Sequence, residues 1–207
     1  MVVFYNYLNR MVHLFLPEHL LPVRQKGIKQ MMKRLAGWYF SSTVNRARKA
    51  GHALEFLPLA ELPEDLQWTL PNKTLAQGFA QMATVIDELA AEHVPAPVQE
   101  ALSQFFTDWR GEDAPLNPGW MNGYREYLPE SQHSMLDLCL LLAAASYRLT
   151  DEHVVRFQQD HSEPTVLLAT AAWASFQISR RIGGWLVAPN TPHPQNLSAH
   201  EEHNHAH

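Results

Sequence analysis

Cysteine is almost absent: Cys139 is the single one in 207 residues. That excludes an internal disulfide, a four-thiolate zinc site and a Cys-x-x-Cys redox pair, and it suits a reducing compartment. Long hydrophobic runs are missing too. A bilayer span needs about 18 apolar residues, and the longest run, Leu138 to Ser146, is about half that. The opening "MVVFYNYLNRMVHLFL" is apolar but has neither an early positive charge nor a small-residue cleavage site, so it does not read as a signal peptide. The expected location is cytoplasmic. There is also no G-x-S-x-G elbow, no phosphate-cradling glycine loop and no Rossmann fingerprint, which argues against an α/β hydrolase or a classical nucleotide-binding enzyme.

Acidic residues are missing between Leu20 and Leu54. That window holds Arg24, Lys26, Lys29, Lys33, Arg34, Arg46, Arg48 and Lys49, half of the 16 Lys and Arg in a chain of net charge −5. Such a stripe, with Trp38-Tyr39-Phe40 inside it, suits an anionic partner: an acidic protein surface or the headgroups of a membrane contacted from one side. It equally suits a solvated face that pairs with the acidic remainder of the chain. Nucleic acid is disfavoured, because the whole chain is acidic and no recognition module is visible.

What is present is helical periodicity. Phe4, Leu8, Met11, Val12 and Phe15 form an apolar stripe that Pro17 stops, and Ile28, Met31, Met32, Leu35, Trp38 and Tyr39 form a second. "LEFLPLAELPEDLQWTLPNK" reads as an irregular connector because of its prolines. A helix is expected from Thr74 to Ala91 with Phe79, Met82, Ile86 and Leu89 inward, and another enters at Pro97 and leaves at Gly111. Asn117-Pro118 should start a short helix ending near Tyr127. Pro129 opens the helix of Cys139, Thr150 caps the next, and Ser162 to Trp185 is the last, with Pro164 in its first turn and Gly183-Gly184 near its end. No segment alternates as a strand does. The expected architecture is all-α: one helical domain of about seven or eight helices over residues 1–187, with a basic amphipathic segment at 22–50. A disordered, His-rich tail at 188–207 should follow.

Cys139 itself invites two readings. A nucleophilic thiolate wants a cation, a helix N-terminus or a second cysteine nearby. Its helical neighbours Met135, Leu136, Leu142 and Ala143 are apolar instead, and burial among them would raise the thiol pKa. The residue types favour core filling.

The C-terminal half, "LPESQHSMLDLCLLLAAASYRLTDEHVVRFQQ" followed by "LLATAAWASFQISRRIGGWL", resembles the helical core of the AhpD-like superfamily, which includes carboxymuconolactone decarboxylases. The resemblance covers some 60 residues and implies an all-helical fold and a homo-oligomer. Redox-active members carry Cys-x-x-Cys-x-x-x-His. Laid on Cys139, that motif would place Cys at Leu142 and His at Ser146, and neither is there.

Three functional readings follow. The first is a non-redox module, without a cofactor, that binds an apolar small molecule or a protein partner. Trp109, Trp120, Tyr124, Tyr127, Trp173 and Trp185 are candidates to line its pocket, although such residues more often fill a core. The second is a peroxidase-type oxidoreductase using Cys139 alone. The third is a peripheral membrane or metal-handling protein: His200, His203, His205 and His207 in "HEEHNHAH" form a dense imidazole cluster able to chelate a transition metal. Glu130 and His133 have the spacing of one half of a di-iron site, but no second copy is found.

Overall fold

The computed structural model describes residues 1–15, 51–56 and 58–187. Among them are seven α-helices and no strand: α1 (Val2–Phe15), α2 (Lys73–His93), α3 (Ala96–Asp108), α4 (Asn122–Arg125), α5 (His133–Ala144), α6 (Asp151–Asp160) and α7 (Pro164–Val187). The second apolar stripe at Ile28 to Tyr39, the basic segment 22–50 and the tail 188–207 lie outside the described residues.

The centre of the fold is α5. Every residue from Ser134 to Ala143 is buried, the mark of a helix surrounded on all sides. It packs against α3, α6 and α7, while α7 also packs against α1 and α2. Leu136, Leu140, Leu142, Phe157 and Phe176 are fully buried here, each worth about 1.5–3 kcal/mol relative to exposure.

The local signals largely act as their chemistry dictates. Asn72 caps α2 by accepting from the Leu75 N–H at 3.2 Å. Pro97 sits in the first turn of α3, and Gln99 donates to Ala90 O and Val94 O, tying the α2–α3 junction. Asn117 Oδ1 accepts from the Gly119 N–H at 2.9 Å and starts a 3₁₀ turn at Pro118–Met121, from which α4 continues. Thr150 precedes α6, and its N–H donates to Nδ1 of His153, which takes the third-position role usually held by Glu or Gln.

Four expectations need correction. In α1, Phe4, Leu8, Val12 and Phe15 are exposed; Val3 and Leu14 are buried, with Tyr7 and Met11 packed beside them. The inward face is a neighbouring stripe, chosen by the docking of α1 along α7. The proline-rich connector is more ordered than expected: it contains 3₁₀ helices at His52–Phe56 and Glu64–Thr69, and Leu66 is fully buried. The helix of Cys139 begins at His133 after a 3₁₀ turn at Glu130–Gln132, not at Pro129. Finally, α7 runs on to Val187, two residues past Trp185, with Gly183-Gly184 inside it. Gly183 is there for close approach: a Cβ on it would collide with the side chain of Val3.

Candidate functional site

Cys139 lies mid-way along α5 and is 0% exposed. Burial, with a smaller contribution from the charge of Asp137, pushes its thiol far above the ordinary range. Among the described residues no cation offsets that shift, so none of them stabilises a thiolate. Leu142, where the motif calls for a second cysteine, is fully buried. Ser146, where it calls for histidine, accepts or donates a 2.8 Å hydrogen bond with Nδ1 of His13, so the imidazole at that point comes from α1.

Polar groups surround α5 in ways the sequence reading missed. The Asp137 carboxylate is buried and receives the Arg125 guanidinium from α4, with Nε 2.7 Å from Oδ1. Ser134 Oγ donates to Asp160 Oδ2 at 2.6 Å, joining α5 to α6. At the other end, Arg10 Nε donates to Leu142 O at 2.8 Å and reaches Ala143 O, meeting carbonyls that α5 cannot satisfy itself. Their only trace in the sequence is charge: Arg125 and Asp137 stand in otherwise ordinary surroundings, twelve positions apart.

A cleft of about 310 Å³ opens where α3 ends. Phe105 and Asp108 of α3, Trp109 and the turn after it, Trp120, Tyr124 of α4 and Ala144 at the end of α5 line it. Phe105 is the hub: Trp109 stacks on it at 5.9 Å, Trp120 is tilted against it at 5.9 Å, and Tyr124 meets it edge-on at 5.8 Å. The Trp109 indole N–H donates to Glu112 O at 2.8 Å, and Trp185 backs its ring at 5.2 Å. Gly111, at φ 102°, makes the turn between them, a conformation that side chains resist. The opposite rim is clamped by Arg148, which donates to Pro115 O and Leu116 O, both at 2.8 Å.

Of the six aromatics proposed for a pocket, Trp109, Trp120 and Tyr124 do line one. Trp185 stands behind it, Trp173 is core, and Tyr127 is 86% exposed. Glu130 is exposed and His133 bonds Leu128 O, so this pair does not form half a metal site. Among the described residues no group of three His, Cys, Asp or Glu could hold a metal ion, and no helix is long and apolar enough to cross a membrane. The proposed anion-binding residues Arg24 to Lys49 and the proposed metal ligands His200 to His207 lie outside the described residues.

The chain is 30% identical over 184 residues to a protein of Mycobacterium tuberculosis (strain ATCC 25618 / H37Rv) named alkyl hydroperoxide reductase Rv2159c. The match takes in 89% of this chain but 53% of that protein, so the chain spans about half the length of this relative. No protein-family model matches the chain, and no solved structure does.

Proposed function

We propose that the chain is an AhpD-like helical protein, a reading supported by its 30% identity to an alkyl hydroperoxide reductase, and that it works without thiol chemistry. On this reading it is a helical module that binds a small, largely apolar molecule in the cleft at the end of α3. The observation that carries this is the state of Cys139: the single thiol is sealed in the most buried helix, with burial holding it protonated. A thiol that neither ionises nor meets solvent is a poor nucleophile. The cleft supports the other half of the reading, since its volume lies at the lower end of small-ligand sites and its walls are aromatic and already braced.

Two measurements test it. Peroxide consumption in the presence of a thiol reductant should be equally negligible for the native protein and Cys139→Ala. Calorimetric titration with indole should show binding that Ala144→Phe, which fills the cleft, removes; undiminished binding in that variant would overturn the site. A second reading rests on the relative's name: a hydroperoxide reductase using Cys139, recharged by an external thiol. It requires turnover in the native protein that Cys139→Ala abolishes.

A further inference from the structure

We propose that the ligand of this cleft is an organic cation, a substituted ammonium group presented to the Phe105, Trp109, Trp120 and Tyr124 rings and neutralised by Asp108 and Asp113. The inference rests on the binding reading above and adds the chemical class of the ligand.

Three observations converge on it. First, the lining contains four aromatic rings whose planes differ widely: Trp109, Trp120 and Tyr124 lie at 27°, 46° and 80° to Phe105. These rings pack on Phe105 as one cluster along the cleft, with Trp109 held between Phe105 and Trp185, and the negative face of an aromatic ring attracts a cation placed over it. Second, among the described residues every charged member of the lining is acidic: Asp108, Glu112 and Asp113. Glu112 is turned to its own loop, accepting from the Arg110 N–H at 2.8 Å. Among the described residues, Asp108 and Asp113 have no hydrogen-bond or ion-pair partner, and both are exposed at the rim. The charge of Asp108 is felt inside the cleft, where it adds to burial in raising the Tyr124 phenol.

Third, the arginines around the cleft are already engaged with backbone oxygens. Arg110 donates to Thr107 O and Trp109 O, Arg148 to the carbonyls of the 114–116 rim, and Arg181 to Trp109 O. They hold the walls in place, and none of them pairs with Asp108 or Asp113. The small volume favours a compact head such as a trimethylammonium or a short alkylamine over a polycation.

The test is a matched pair of probes on the full chain: choline, and 3,3-dimethylbutan-1-ol, in which carbon replaces the charged nitrogen. Calorimetry should show choline binding about tenfold or more tightly than the neutral isostere. Asp108→Asn with Asp113→Asn should narrow that gap several-fold without lowering the melting temperature, because both side chains are exposed. Equal binding of the two probes would overturn the cation and leave the apolar cleft standing. Failure of both probes, together with failure of indole, would remove the cleft reading itself.

Discussion

Arg10, on the first helix, donates from Nε to the carbonyl oxygen of Leu142 at 2.8 Å, across 132 positions of sequence. The same guanidinium reaches Ala143 O and is held by Asn6 Oδ1 at 2.9 Å. A cation at the C-terminal end of α5 answers both its unsatisfied carbonyls and the negative end of its dipole. Burial lowers the Arg10 pKa, yet an arginine stays charged. Arg10→Met keeps most of the apolar contact and removes the donors. It should cost about 1.5–3 kcal/mol in urea unfolding, where a change below about 0.5 kcal/mol would show that water serves α5 equally well.

Arg125 and Asp137 form another polar bond to α5. Arg125→Met alone should cost about 3 kcal/mol, because it strands a buried carboxylate. Asp137→Leu in addition should recover much of that loss. A double-mutant cycle measures the coupling; additive single effects would mean that the pair is not one unit.

Gly183 and Val3 test the seam between α1 and α7. Gly183→Ala should destabilise by roughly 1–3 kcal/mol, since its Cβ meets the Val3 side chain. In a Val3→Ala background the same change should become neutral or favourable, as alanine is the better helix former. Thermal melts of the four proteins decide it.

His153 gives stability a pH dependence. Its pKa is lowered first by burial and then by Arg156, and its Nδ1 must stay unprotonated to accept from the Thr150 N–H. The unfolded chain therefore binds this proton more readily than the folded one. The contribution is complete above about pH 6.5 and is lost as pH falls from there through the lowered folded value. His153→Gln keeps an acceptor without the titration, so its melting temperature should fall less steeply than the native protein's across that range.

How far these relationships could be read beforehand depends on their range. Asn117-Pro118 and Thr150 act within a few residues, and their turn and helix starts were legible. So was the core role of Cys139, because its neighbours at helical spacing are apolar. The inward face of α1 was not: Phe4, Leu8 and Val12 are as apolar as Val3, Tyr7 and Leu14, and only the docking on α7 distinguishes the two stripes. Gly183-Gly184 was legible as a sign of a nearby helix end, but not the reason for Gly183, which is the approach of Val3 from the opposite end of the chain. The cleft was half legible. Trp109, Trp120 and Tyr124 were candidates by type, but their convergence on Phe105 needs the turn at Gly111 and the braces from Arg148 and Glu112.

The central claim is that the single thiol of this chain is structural, and its labelling rate tests that most directly. A small aromatic disulfide reagent at neutral pH is added to native protein and to protein unfolded in urea. The account predicts that Cys139 reacts promptly when unfolded, and in the native state only as fast as the protein opens. Native labelling faster than that of a free thiol at the same pH would mean an accessible thiolate, and would contradict the account.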